Sequence, residues 1–124
     1  MKPAWRNEQV SLFMNTPVIH REMMLGFSDS NKGQYFALEP RTGKLLWTSA
    51  GRQAESAITL LADKLLVILT ESGELIFANA AASGYSPLAK YQVAASSTFA
   101  HPVLVGRKIL IKEQRHLVLW EIGL

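Results

Sequence analysis

The sequence has no cysteine, so it contains neither a disulfide framework nor a cysteine-based metal site. It has no apolar run of the ~18 residues that a membrane-spanning helix needs. The first ten residues, MKPAWRNEQV, lack the apolar core of a signal peptide, so any signal of a secreted parent protein would lie outside this chain. The 13 Lys and Arg residues are scattered and the net charge is only +3, which argues against a nucleic-acid surface.

The sequence does contain several short apolar segments. Each is about one strand long, is rich in Leu, Ile, Val and aromatic residues, and is bounded by turn residues. They are residues 23–27, 64–70, 74–80, 108–112 and 116–122. Helical spacing is weak, and the best helix candidate, residues 53–63, leads directly into a strand, so we interpret its second half as a strand too. The pattern predicts an all-β fold.

These segments repeat with a period of about 40 residues. Gly33 and Gly73 each open a strand and lie 40 positions apart, and Arg115 stands at the matching place 42 positions later. Pro17 and Pro102 are 85 positions apart, which is two such steps. A ~40-residue unit with three or four short strands is typical of a β-propeller blade. We therefore predict a β-propeller fragment of about three four-stranded antiparallel blades, the last of them incomplete.

The middle strands support the same architecture. Residues 65–69 and 117–120 are apolar throughout, whereas a strand with one wet face alternates apolar and polar side chains. A strand in the middle of a blade has neighbouring blades on both faces, so both faces favour apolar residues.

One predicted hairpin, YFALEPRTGKLLW, carries more pattern residues in a single run than an ordinary surface hairpin requires. It resembles the tryptophan-docking motif of the pyrroloquinoline-quinone-like propeller repeats, A-x-D-x-x-T-G-x-x-x-W, through Ala37, Thr42, Gly43 and Trp47, with Glu39 in place of the usual Asp. The resemblance implies that the motif joins the third and fourth strands of a blade. It also implies that Trp47 is largely buried against the next blade, that Ala37 leaves room for it, and that Glu39 and Thr42 brace the turn.

The resemblance divides the chain into four parts. Residues 1–14 belong to a preceding blade, whose outer strand we place in 8–15. Residues 15–51 form a blade with the docking motif, 52–97 form a second blade, and 98–124 form an incomplete final blade. Closed rings have ~4 to ~8 blades, so three units form an arc. We expect residues 116–122 to present an unpaired edge that recruits missing blades, a partner or a second copy of the chain.

The sequence contains no recognisable catalytic or metal-binding pattern, and no residue is proposed for either role. The histidines fall in three different units without a second ligand at a useful spacing; they are His20, His101 and His116. Ser28 lacks the G-x-S-x-G elbow. Asp29, Glu71 and Glu74 lie in turns, where acids are common for conformational reasons.

The resemblance raises the question of a quinone cofactor. Quinoprotein dehydrogenases hold the quinone on the ring axis with a stacking Trp and a Ca²⁺ ion bound by acidic and amide side chains. Here Trp47 is assigned to docking, Trp120 lies within an apolar strand, and no acid cluster remains for calcium. We therefore expect this segment to bind neither pyrroloquinoline quinone nor calcium.

Two functions are compatible with the resemblance. The favoured one is a non-enzymatic protein-interaction scaffold, similar to the outer-membrane assembly lipoproteins, which bind partner proteins on the propeller face. The alternative is the C-terminal part of a quinone-dependent dehydrogenase whose cofactor residues lie in other blades. Either resemblance implies a bacterial protein of the periplasm or cell envelope.

Overall fold

The computed structural model describes residues 1–123, and within this range the chain is all-β. Three antiparallel sheets of four, four and three strands follow one another, and each strand pairs with its neighbour in sequence. The helical content of the described part is one turn of 3₁₀ helix at Ser30–Lys32. Nothing in residues 1–123 is a helix long and apolar enough to cross a bilayer. Leu124, predicted to end the final blade, lies outside the described residues.

The strands fall where the apolar segments predict them. The first sheet contains β1 (Val18–His20), β2 (Met23–Ser28), β3 (Gln34–Leu38) and β4 (Leu45–Thr48). The second contains β5 (Ala57–Ala62), β6 (Leu65–Thr70), β7 (Glu74–Ala81) and β8 (Gly84–Gln92). The third contains β9 (Val103–Val105), β10 (Lys108–Lys112) and β11 (Leu117–Glu121). The second half of residues 53–63 is strand β5, as predicted.

The middle sheet is covered on both faces. Along β6, Leu66 and Ile68 belong to the core between the first and second sheets. The alternating residues Val67 and Leu69 belong to the core between the second and third sheets. This explains why residues 65–69 are apolar throughout, and the prediction of a doubly covered strand is confirmed here.

The same interpretation is wrong for residues 117–120. Leu117 is 66% exposed and Leu119 is 53% exposed, because β11 is the last strand of its sheet. The described residues contain no further sheet beyond it, so its outward side chains have nothing to pack against. The exposure of these side chains follows from the lack of a covering sheet on that face. Within the described chain β11 is also an edge strand, with β10 as its neighbour.

The N-terminal segment also differs from its prediction, since residues 8–15 form no strand. The segment instead contacts the first sheet at isolated points. The Ser11 N–H donates to Ser28 Oγ at 3.0 Å, and the Asp29 N–H donates to the Ser11 carbonyl at 2.8 Å. A strand needs a parallel or antiparallel neighbour for its backbone groups, and this segment does not run beside one in the described chain. Ser28 thus has a structural role as a hydrogen-bond acceptor.

A pair of tyrosines links the first two sheets. The rings of Tyr35 on β3 and Tyr85 on β8 lie 4.6 Å apart, and Phe27 packs edge-on against Tyr35. Neither tyrosine hydroxyl has a hydrogen-bond partner within residues 1–123. Burial raises the pKa of Tyr35, and burial together with the charge of Glu74 raises the pKa of Tyr85 to about 12.

This pair predicts a loss of stability in alkali. A phenol with a higher pKa in the folded chain holds its proton more tightly when folded, so its stabilisation is complete below the unfolded pKa of 10.0 and decreases as the pH rises toward about 12. Chemical unfolding at a series of pH values should show this decrease. The decrease should become smaller in Tyr85→Phe and remain in the control Tyr91→Phe, whose side chain is exposed. Equal pH profiles for wild type and Tyr85→Phe would contradict the prediction.

Candidate interaction site at the open end of the third sheet

The turn before Trp47 is braced as the sequence predicts. Glu39 Oε2 accepts the Thr42 N–H at 2.7 Å, and Glu39 Oε1 accepts the Arg41 N–H at 3.1 Å, so glutamate reaches the turn that aspartate usually occupies. The Thr42 side chain and these N–H groups lower the pKa of the Glu39 carboxyl. Gly43 has φ +72°, a left-handed conformation that favours glycine.

Trp47 points from the first sheet to the second. It stands opposite Ala37, which is fully buried, and its Nε1–H donates to the Ala81 carbonyl at the end of β7 at 2.9 Å. The indole packs at the margin of the core between the sheets and is half-buried. The indole lies on β4, the outermost strand of its sheet, so part of it remains open to solvent.

Trp5 makes an equivalent contact with the first sheet, which sequence reasoning missed. Its Nε1–H donates to the Pro40 carbonyl at 2.9 Å, in the turn between β3 and β4. Asn7 Nδ2 donates to the Gly43 carbonyl at 2.7 Å, and a Cβ added to Gly43 would collide with the Trp5 indole. The available signal was the spacing, since Trp5 and Trp47 lie 42 positions apart, about one repeat period.

A cleft of about 830 Å³ opens between the second and third sheets on the side of β8 and β11. Its lining is mostly apolar and includes Phe77, Leu88, Tyr91, Trp120 and Ile122. Lys90 and Glu121 also line it. The cleft lies where β11 has no further strand beside it in the described chain. The unpaired backbone edge of β11 therefore lies next to the apolar side chains of the cleft.

The outward side of the third sheet is a second exposed surface, which we call the end face. It carries five apolar side chains together with the charged residues Lys108, Lys112 and Glu121. The register pairs Val103 with Leu110 and Leu110 with Leu119, so these side chains share one side of the sheet. Val105 and Leu117 continue the same side two positions along their strands. Four of the five side chains are exposed, and Leu110 is half-buried.

The histidines are not brought together. His20 ends β1, His101 lies beside the Pro102 carbonyl, and His116 Nδ1 lies 3.1 Å from Glu113 Oε1 on the surface. Within residues 1–123, no group of three or more His, Cys, Asp and Glu side chains is placed to hold a metal ion.

Two of the acidic residues considered from the sequence line the same cavity. Asp29 and Glu71 line a cavity of about 510 Å³ together with Glu55 and the cations Lys32 and Arg52. Glu71 Oε2 accepts the Ser56 N–H at 3.0 Å. This hydrogen bond joins the residue before β5 to the residue after β6. Glu74 lies apart from this cavity and pairs with Lys90 across the β7–β8 ladder at 3.7 Å.

The three tryptophans have different surroundings. Trp5 and Trp47 direct their indole N–H groups to backbone carbonyls of other elements. Trp120 lines the cleft, where Glu121 is the acid beside it.

Comparisons with known proteins find similarity in structure but not in sequence. No protein-family model matches the chain, and no curated protein matches it in sequence. Solved structures do match. The computationally designed Ika8 protein has a TM-score of 0.66 at 13% identity, over 88% of this chain and 33% of the designed chain.

Two natural proteins show the same likeness. BamB from Moraxella catarrhalis has a TM-score of 0.61 at 12% identity, over 96% of this chain and 49% of BamB. The quinohemoprotein alcohol dehydrogenase ADHIIG from Pseudomonas putida HK5 has a TM-score of 0.65 at 13% identity, over 96% of this chain and 20% of the enzyme. The chain thus spans half or less of each of these proteins, and its fold is that of part of a β-propeller.

Proposed function

We propose that this chain is a non-catalytic β-propeller module of the pyrroloquinoline-quinone-like repeat type that acts as a protein-interaction scaffold. Its binding site is the cleft between β8 and β11 together with the free edge of β11. The observation that carries the proposal is the coincidence of an unpaired strand edge and an apolar cleft at one place.

The free strand edge and the apolar cleft together favour an extended polypeptide as the ligand. In the first two sheets a fourth strand, β4 or β8, pairs with the third strand, and the third sheet ends at β11. An added strand would satisfy the outward backbone N–H and C=O groups of β11, as in other cases of β-strand addition. Alternate side chains of that strand would point into the cleft beside Trp120, which gives the site a preference for apolar residues.

The first hairpin supports the scaffold in this proposal. Trp47, Ala37 and the braced turn at Glu39 and Thr42 act as a docking motif that fixes the first sheet on the second. We place the parent protein in the bacterial periplasm or cell envelope, following the resemblance of the repeats. The alternative of a dehydrogenase segment is supported by a likeness of fold only, and fold does not define activity.

Selection from a displayed library of ten-residue peptides tests the binding site. The selection is made at a chain concentration low enough to keep the chain monomeric, and we expect the wild-type chain to enrich peptides with alternating apolar residues. These peptides should bind at least tenfold more weakly to Trp120→Lys, which places a charge in the cleft. The control Phe99→Lys changes a more exposed aromatic residue outside the cleft and should leave binding unchanged. Failure to enrich any peptide, or equal binding to Trp120→Lys, would overturn the proposal.

The same proposal predicts that the chain binds neither pyrroloquinoline quinone nor Ca²⁺. The reason is that residues 1–123 contain no group of three or more His, Cys, Asp and Glu side chains placed to hold a metal ion. Isothermal titration calorimetry of the chain with each ligand should give no stoichiometric heat at micromolar concentrations. Saturable one-to-one binding of either ligand would favour the dehydrogenase alternative.

A further inference from the structure

We infer that the partner of this site is a second copy of the chain, bound head to tail. The end face and β11 of one copy receive the first sheet and the Trp5 segment of the other. The inference rests on the proposed function, because it names the partner of the proposed site.

The first step is the equivalence of Trp5 and Trp47. Trp47 lies on β4 and donates to the Ala81 carbonyl at the turn between the third and fourth strands of the next sheet. Trp5 donates to the Pro40 carbonyl at the corresponding turn of the first sheet. Each bond spans nearly the same sequence distance, 34 and 35 residues. Trp5 therefore occupies the position that the fourth strand of a preceding sheet would provide.

The second step identifies the strand that Trp5 would belong to. Trp47 lies in β4, and moving β4 back by the 42 positions between the two tryptophans gives residues 3–6. In the first sheet β4 pairs with the third strand, β3. In a preceding sheet, residues 3–6 would pair with its third strand. The third sheet of another copy offers such a strand in β11, whose outer edge is free in the described chain.

The third step concerns the surface ahead of the first sheet, which we call the start face. The register places Ile19, Met24 and Leu38 on the side of the first sheet away from the second. Pro17 and Phe36 pack against Gly26 on that side, so the N-terminal segment covers part of it. Ile19 remains 58% exposed. Phe36 and Leu38 are already buried within the copy, so Ile19 marks the part of the start face that remains open to a partner.

The fourth step joins the two ends. At both interior junctions an apolar face of one sheet packs on an apolar face of the next. The exposed apolar side chains of the end face and the exposed Ile19 of the start face can form a similar contact between two copies. A head-to-tail contact of this kind forms a ring when its rotation closes. Two copies would supply six sheets, within the ~4 to ~8 blades of known rings.

Light scattering after size-exclusion chromatography at micromolar concentration tests the inference. The wild-type chain should have twice the mass of one chain, 13.8 kDa. Leu119→Glu alters the end face and Ile19→Glu alters the start face, and each variant alone should be a monomer. Both side chains are more than half exposed, so circular dichroism should show folded variants. The control Phe99→Glu should remain a dimer.

Mixing the two variants separates the possible geometries. In a head-to-tail pair, an Ile19→Glu copy still offers its end face to the intact start face of a Leu119→Glu copy, so the mixture should recover mass near that of two chains. If Ile19→Glu alone stays a dimer, the copies associate end to end and the inference is wrong. A wild-type monomer also overturns it. Such a monomer that still enriches peptides lost in Trp120→Lys would leave the proposed function standing, and loss of both would overturn both.

Discussion

Replacing Ile68 with alanine is expected to lower the free energy of unfolding by about 3 kcal/mol, within the range for isoleucine deletions in cores. Ile68 is fully buried on β6 and packs against the first sheet. Its neighbour Val67 is also buried but packs against the third sheet. Val67→Ala should cost about 2 kcal/mol, because two methyl groups lose their burial and leave a cavity. Urea denaturation measures both changes.

The pair of variants distinguishes a doubly covered sheet from an open one. The control Phe99→Ala removes a side chain that is 67% exposed and should change stability by less than about 0.5 kcal/mol. All variants are compared at one protein concentration, because association stabilises the folded chain by mass action. If Val67→Ala behaves like the control while Ile68→Ala is destabilised, the second sheet is covered on one face only.

Trp47→Ala is expected to cost about 3 kcal/mol, at the lower end of the range for large aromatic deletions because the indole is half-buried. The loss combines the packing of the indole against the core between the first two sheets with its bond to the Ala81 carbonyl. Trp47→Phe keeps most of the ring and removes the N–H donor, so it should cost about 1 kcal/mol. Chemical denaturation followed by circular dichroism measures both values.

Trp120→Ala is the matched control for Trp47. Trp120 is 39% exposed at the edge of the third sheet, so its removal should cost less than half as much as the removal of Trp47. Equal midpoints for Trp47→Ala and wild type would show that Trp47 does not fix the first sheet on the second.

The strands could be predicted from the sequence because their signals are local. Apolar segments such as 64–70 are bounded by turn residues, and Gly33 and Gly73 mark the repeat. The N-terminal strand was predicted wrongly because pairing depends on a neighbour, and residues 8–15 have none beside them in the described chain. The half-burial of Trp47 depends likewise on its place on an outer strand.

The candidate site could be predicted only in part. The free edge of β11 follows from counting three strands after residue 98, and the structure agrees. The cleft depends on the distance between β8 and β11, which no periodicity encodes. Trp5 was missed because its motif residues Ala, Thr and Gly have no counterpart ahead of it in the sequence. Its contact joins residues 35 positions apart.

Nuclear magnetic resonance of the three indole N–H groups tests the central claim, that tryptophan docking fixes the N-terminal segment on the first sheet and the first sheet on the second. The Trp47 indole proton should show nuclear Overhauser contacts to protons near Ala81, and the Trp5 indole proton should show them to Pro40. Both should exchange with solvent more slowly than the indole proton of Trp120, whose side chain is 39% exposed at the edge of the third sheet. Equal, fast exchange of all three, without contacts between sheets, would contradict the account.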